Sequence, residues 1–579
     1  MAKHKNLWLL ISCIIAGLLL FTSCGGSDTT STTATSTTTT TAPPTPTTEM
    51  VKDSLGNMVE KPKYGGTLTI VTQESGGLDP CIYNTMDVTG RDLIFEYLCT
   101  PDWKRGPFGT KEHSYSGYAD PQFYTGCIAE SWEMPDTTTV IFHIRQGIHW
   151  QDREPVNGRE VVADDVVYSI ICHNNAPLGA YPTPPTEVYA EGKYTVVVKL
   201  ANPDPTAIWT LNNQYYIFPP EVKDYSTYKN VVGTGAYLLT DFISGTSATL
   251  TRNPEYWKYD PLLPENKLPY INEIKQLCIV DQSIQLAGLR TNVVDILWNV
   301  QWQQVDSLKS TNPYLQMTQS PGLNCMILSL RNDTKPFDNI KVRRALSMAI
   351  NREAILEGYY GGAGEIFNWP VQQSSTGCYT PLDEMPADVQ ENYSYNPEMA
   401  RQLLSEAGVT DLTINTIVLP APAYYQEVMS LVVDFWSQIG VKGKIEVVEA
   451  GPFWNQVRAW EYQSIHTLFG NSNPHSGVIR YYDPGLWLNW SRVDDPYINE
   501  RRIELLTTID PVKRNQVMKE AAIYEASQCW VIELPKPSNY IYWQPWVKRY
   551  EGIYGHFFRY FETYPYVWID QNNKAKYVN

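Results

Sequence analysis

Thiol, metal and polyanion chemistry are all poorly served by this 579-residue chain. Its ten cysteines include no Cys-x-x-Cys pair. That argues against a thiolate zinc site and a thioredoxin-like redox motif. Its eight histidines are scattered. His143 and His149 read as strand or surface residues, and His466 and His475 flank a short segment without forming a ligand set, so no metal site is expected. No Gly-x-Ser-x-Gly, His-Glu-x-x-His or Walker loop occurs, and no catalytic residue is assigned. Basic residues are outnumbered: 45 Lys and Arg stand against 62 Asp and Glu, for a formal net charge of −17. Such a body has no electrostatic footprint for nucleic acid. Long apolar runs are absent beyond the first two dozen residues. With 43% hydrophobic residues and a mean hydropathy of −0.32, the rest reads as a soluble body without further membrane spans.

The one apolar run is informative. Lys3 and Lys5 precede Leu7–Phe21, and small residues then lead to Cys24-Gly25-Gly26. This is the layout of a secretory signal, and it is shorter than the ~20 residues of a spanning helix. The ending Leu20-Phe21-Thr22-Ser23-Cys24 resembles a bacterial lipobox, with Phe21 departing from the usual residue. In such signals cleavage falls before the Cys, and its thiol takes a lipid. An ordinary secretory signal or an uncleaved anchor would export the chain equally. Residues 27–48 are nearly all Ser and Thr, with Pro43, Pro44 and Pro46. They have no apolar side chains to offset ordering entropy, so they read as a flexible stalk with a reach of roughly 25 Å. The expected division is therefore a signal over 1–23 and a lipidated Ser/Thr-rich linker over 24–60.

The remaining body exceeds the ~250–300 residues that one core serves, so at least two lobes are expected. Excluding Cys13 and Cys24, eight cysteines remain, enough for 105 pairings or for several buried thiols. Period-two patterns mark strands at 64–72, 139–145 and 195–200, and a helix is expected over 164–171. Later segments alternate strand and helix. Asn396 caps, Pro397 fits the first helical position, and Gly408 fits the left-handed stop of a helix. A strand over 412–419, a helix over 424–439 and a strand over 444–449 make a βαβ unit with parallel strands. Two more helices are read at 339–350 and 351–359.

The order of these pieces resembles the extracellular solute-binding proteins of ABC importers, family 5, the oligopeptide, dipeptide and nickel-binding type. Tyr64-Gly-Gly-Thr-Leu68 is similar to the family's opening strand. Phe142-His-Ile-Arg145-Gln-Gly147 and the following Ala163-Asp-Asp165-Val166 are similar to its most specific passage. Val232-Gly-Thr-Gly235, Asn253-Pro-Glu-Tyr256-Trp257, Asn292 to Ile296, and Phe337 through Arg343 to Arg352 follow in the family's order. The resemblance implies an α/β, two-lobed periplasmic-binding-protein-like fold (type II, cluster C) with an extra subdomain in the first lobe at about 100–215. Lobe I is placed at 61–283, lobe II at 284–530 and a return to lobe I at 531–579, with crossovers near 281–284 and 528–534.

It also implies a function. A peptide or other polar solute is gripped in the interlobe cleft by hinge closure, unaltered and without a cofactor, by a lipid-anchored monomer that serves an ABC permease in the membrane. Cleft residues implied by position are Gln73 and Glu74 after the first strand, Trp298 and Trp302 after Asp295, and Trp369 after a Gly-rich turn. In the segment 469–474, peptide-binding relatives carry an Asp for the solute's ammonium, where this chain has Asn471 and Asn473. An amide lacks the charge-assisted term. Strict recognition of a free peptide N-terminus is therefore not expected. Glu74 can substitute, or the solute is a modified peptide, a glycan fragment or a metal chelate. An exported cell-envelope hydrolase and a repurposed surface or sensory protein remain alternative readings.

Overall fold

A seven-stranded sheet gathers segments from both ends of the chain. In the computed structural model its strand order is Tyr237–Ile243, Ser247–Arg252, Glu273–Cys278, Thr67–Thr72, Ile296–Val300, Asn539–Trp543 and Gln316–Ser320. Thr67–Thr72 runs parallel to both of its neighbours, and the other pairs are antiparallel. Its apolar side chains divide between two faces, as a period of two requires. Leu68 and Ile70 enter one core with Ile274 and Ile296, while Val71 enters another with Leu289 and Leu297. The described residues are 49–72, 77–81, 90–113, 121–176, 184–320, 324–373, 375, 377–470, 474–553 and 561–578. The leader, Cys24 and most of the expected linker lie outside them. Among the described residues, no helix is long and apolar enough to cross a membrane.

A second sheet has the order Val441–Val447, Leu412–Val418, Ser464–Gly470, Asn324–Leu330 and Val531–Leu534. Its strand Asn324–Leu330 is buried on both sides: Met326, Leu328 and Leu330 face one core, Cys325 and Ile327 the other. The βαβ unit is present, with Leu412–Val418 parallel to Val441–Val447 across the helix Tyr424–Ser437. Asn396 caps its helix by accepting from the Met399 N–H, and Gly408 takes φ 72° just past the end.

Sheet membership moves the lobe boundaries. Ile296–Val300 and Gln316–Ser320 belong to the first sheet, so the chain crosses between Ser320 and Asn324 rather than at 283/284. The helix Gln282–Arg290, read as the start of the second lobe, instead packs Leu289 against Val71. The return follows Leu534, because Val531–Leu534 still pairs with Ser329–Met326. At the crossings a two-stranded piece, Gly364–Glu365 with Lys536–Pro537, ties the second lobe to the returning strand. The start of the body shifts too: Met50–Lys52 and Met58–Glu60 form a hairpin inside the compact unit Met50–Asn579, where the Ser54 N–H donates to Leu262 O. The linker therefore ends before the expected residue 60.

A third, four-stranded sheet lies within the stretch expected as an extra subdomain. Its order is Ala129–Asp136, Thr139–Ile144, Thr195–Leu200 and Pro185–Ala190, with the helix Ala163–Asn175 packed on it. Arg159 pairs with Asp165 at 2.7 Å, and Asp165 also accepts from the Val162 N–H, closing the start of that helix. One disulfide, Cys81–Cys172, joins the helix to the chain beyond the first strand. The family-like motifs prove to be joints. Tyr256 and Trp257 donate to buried Glu96 at 2.9 and 2.8 Å. A Cβ on Gly233 would sit 1.9 Å from Ile94 O, so only glycine allows that approach. Arg343 and Arg352 donate to the main-chain oxygens of Gln528 and Glu533 beside the return crossing.

Candidate functional site

A pocket of about 470 Å³ opens between the two larger sheets' lobes. That size suits a small-molecule site. One wall is formed by Gln282, Ser283, Gln285, Leu286 and Leu297 to Gln304 of the first lobe, and the other by Tyr359, Pro422, Ala423, Tyr424 and Glu427 of the second.

The first wall is shaped by a bulge. Leu297 and Val300 oppose Tyr542 and Tyr540, so the strand Ile296–Val300 carries one residue more than its partner. Asn299 absorbs the extra residue at φ 55°. Bulges re-aim side chains, and a left-handed non-glycine residue stores strain of order 1 kcal/mol. Here the distortion sits where Trp298 and Asn299 turn toward the pocket. The Trp298 indole N–H donates to Tyr550 Oη at 2.9 Å, and its ring stacks on Tyr564.

Trp302 joins the walls. Its indole N–H donates to Tyr359 O at 3.0 Å across the lobes. Its ring meets Tyr359, Tyr360 and Tyr424 edge-on, with centroids 5.6, 4.9 and 6.2 Å away. It packs against the apolar cores of both lobes. Tyr359 in turn donates its hydroxyl to Glu427, and burial together with that carboxylate raises the Tyr359 pKa.

Trp369 is placed differently from the expectation. It is 2% exposed in the core of the second lobe, with its indole N–H 3.1 Å from Glu525 and 3.3 Å from Tyr482 Oη. Its ring packs against Tyr481 rather than opening on the interlobe pocket. Tyr482 also donates to Glu525, at 2.5 Å, and burial pushes this carboxyl up to about 7. Glu533 lies nearby, receiving the Asn368 N–H and the Tyr393 hydroxyl, and burial raises it well above the usual carboxylate range. His466 is fully buried, its Nδ1 3.0 Å from Ile327 O, and burial lowers it to about 4. These groups serve the interior of the lobe.

Gln73, Glu74, Asn471 and Asn473 lie outside the described residues. The expected Trp298 and Trp302 do line one pocket. Tyr359, Tyr424, Glu427 and the glutamines around Trp302 were missed as lining residues. Tyr359 and Tyr424 stand at the end of one helix and the start of another, and an aromatic residue at a helix end beside Gly361 or Pro422 is the signal that was available.

Comparison with known proteins gives concordant matches. The family model for bacterial extracellular solute-binding proteins, family 5, matches residues 124–485. Heme-binding protein A of Haemophilus influenzae is 24% identical over 460 residues, spanning 73% of this chain and 81% of that protein. Di/tripeptide-binding protein 1 of Pseudomonas aeruginosa is 25% identical over 437 residues, spanning 68% and 77%. Among solved structures, the periplasmic binding protein DppA from Helicobacter pylori, in complex with peptide STSA, superposes at TM-score 0.68. It is 18% identical and covers 88% of this chain and 99% of its own, a likeness of fold.

Proposed function

Since the chain belongs to the bacterial extracellular solute-binding proteins of family 5, we propose that it captures a small polar solute between its lobes and delivers it unaltered to an ABC permease. The observation that carries this reading is the pocket whose two walls come from lobes built on separate sheets, with a short strand pair beside the return crossing. Such a joint lets the lobes rock about the crossings, so that solute captured by one wall is enclosed by the other. The named relatives are binding proteins whose cargoes differ, heme in one and di- or tripeptides in another, so family membership leaves the cargo open.

The anchor is part of the same proposal. Cys24 carries the lipid, and the Ser/Thr-rich segment behind it lets a monomeric body stand off an anionic surface that its own acidity repels. Native mass spectrometry of the purified full chain tests the capture reading: a co-purifying small molecule, released on unfolding and chemically unchanged, is expected. Reproducible conversion of that molecule by the protein would replace the receptor with an enzyme. Cys24→Ser tests the anchor and is expected to move the chain from the membrane fraction to the soluble exported fraction.

A further inference from the structure

We infer that the interlobe pocket takes an uncharged, polyhydroxylated solute, a neutral di- or trisaccharide, in place of a zwitterionic peptide; this rests on the receptor reading above. Charge is the first argument. Among the described residues lining the pocket, Glu427 is the one charged side chain, and it already accepts the Tyr359 hydroxyl. A free dipeptide brings an ammonium and a carboxylate together. The carboxylate would meet no cation on these walls, and a buried charge without a partner costs several kcal/mol.

The amides are the second argument. Gln282, Gln303 and Gln304 line the pocket, and their side chains make no hydrogen bond to any described residue. Each offers one acceptor and two donors, while every sugar hydroxyl both donates and accepts. A ring of such amides can satisfy a polyol without a net charge on either side. The third argument is shape. Trp298 and Trp302 are half-buried, and both residues line the pocket. Flat aromatic surface beside hydrogen-bonding groups fits a ring with an apolar C–H face and a polar rim. The strained Asn299 bulge holds this wall in place.

Isothermal titration of the full chain in detergent, stripped of bound solute by unfolding and refolding, provides the test. The probes are cellobiose, maltose, their trisaccharide homologues, free dialanine, and dialanine capped at both ends. Saturable binding of at least one saccharide is expected, unchanged between low and high salt because no charge is screened. Gln303→Ala and Gln282→Ala, both at exposed positions, should each weaken it about tenfold, the worth of one lost hydrogen bond. Saturable binding of free dialanine, lost on capping and with no saccharide bound, overturns the saccharide assignment and leaves the receptor reading intact. If no probe binds and no small molecule co-purifies, both fail. If none of these binds but a charged or metal-chelating molecule co-purifies, the saccharide assignment fails alone.

Discussion

Glu525 shows how a single buried carboxyl can govern a lobe. It is 1% exposed, accepts from Tyr482 and Trp369, and titrates at about 7 against an ordinary 4.5. Between those values the folded chain keeps a proton that the unfolded chain has released. Folding stability therefore falls as pH rises from 4.5 to about 7 and levels off above it, by up to about 3 kcal/mol from this group. Glu525→Gln retains the acceptor oxygen and removes the charge. Urea unfolding at pH 5 and pH 8 should show the variant losing less stability across the interval than the parent, and an unchanged difference would contradict the assignment. His466 works in the opposite sense: its folded pKa is depressed, so its contribution is lost as pH falls below the ordinary 6.5 toward about 4. Asp295 is a different case. It has 0% exposure, holds Lys574 at 3.0 Å, and accepts from the Trp546 indole and the Thr69 N–H at 2.6 and 2.7 Å. Asp295→Ala would leave the Trp546 indole and the Thr69 N–H without their acceptor and Lys574 without its counter-charge. A loss of about 3–5 kcal/mol in denaturant unfolding is expected.

At the level of elements, local chemistry was readable wherever it repeats or punctuates. The helix Pro397–Glu406 carries its cap, its first-turn proline and its terminal glycine in the residues themselves, and the strand Thr195–Leu200 falls where alternation placed it. The strand read at 444–449 lies at Val441–Val447, because its pairing with Leu412–Val418 sets the register and Gly443 sits opposite Ile414. Asn292 takes φ 66°, a conformation asparagine tolerates better than most residues. The bulge at Asn299 was illegible, since an extra residue shows only against a partner strand that lies more than 240 positions later in the chain. The walls of the pocket were half legible. Trp298 and Trp302 came from motif position, but the buried place of Trp369 depends on Glu525 and Tyr482, which no local pattern links to it. Asn299→Gly relieves the left-handed strain and should leave the melting temperature unchanged or higher with the pocket intact. Asn299→Val should lower stability by about 1–3 kcal/mol, because a β-branched residue is an outlier at that φ. Thermal unfolding of the pair checks both outcomes.

Across the whole molecule, the boundary between lobes was misplaced because sequence order is a poor guide to sheet order. Gln282–Ser320 falls almost wholly past the expected boundary at 283/284, yet its strands complete a sheet begun at Thr67. The disulfide Cys81–Cys172 was likewise one of many open pairings, resolved only by the helix that brings Cys172 to the end of the opening segment. A chain shortened to residue 535 keeps every strand of the second sheet and loses Asn539–Trp543 from the first. Limited proteolysis should leave a resistant core covering roughly 324–534 and digest the remainder. Equal resistance of both halves would show that the returning strand is dispensable.

That returning strand sits between Ile296–Val300 and Gln316–Ser320, and the lysine gripping Asp295 comes later still. A polypeptide threaded outward from its amino end thus delivers the keystone of its earliest sheet almost last. Until then Gln316–Ser320 has no neighbour to dock on, and the second lobe is free to mature first. Premature termination anywhere before about residue 540 therefore yields a product whose front half stays open to proteases.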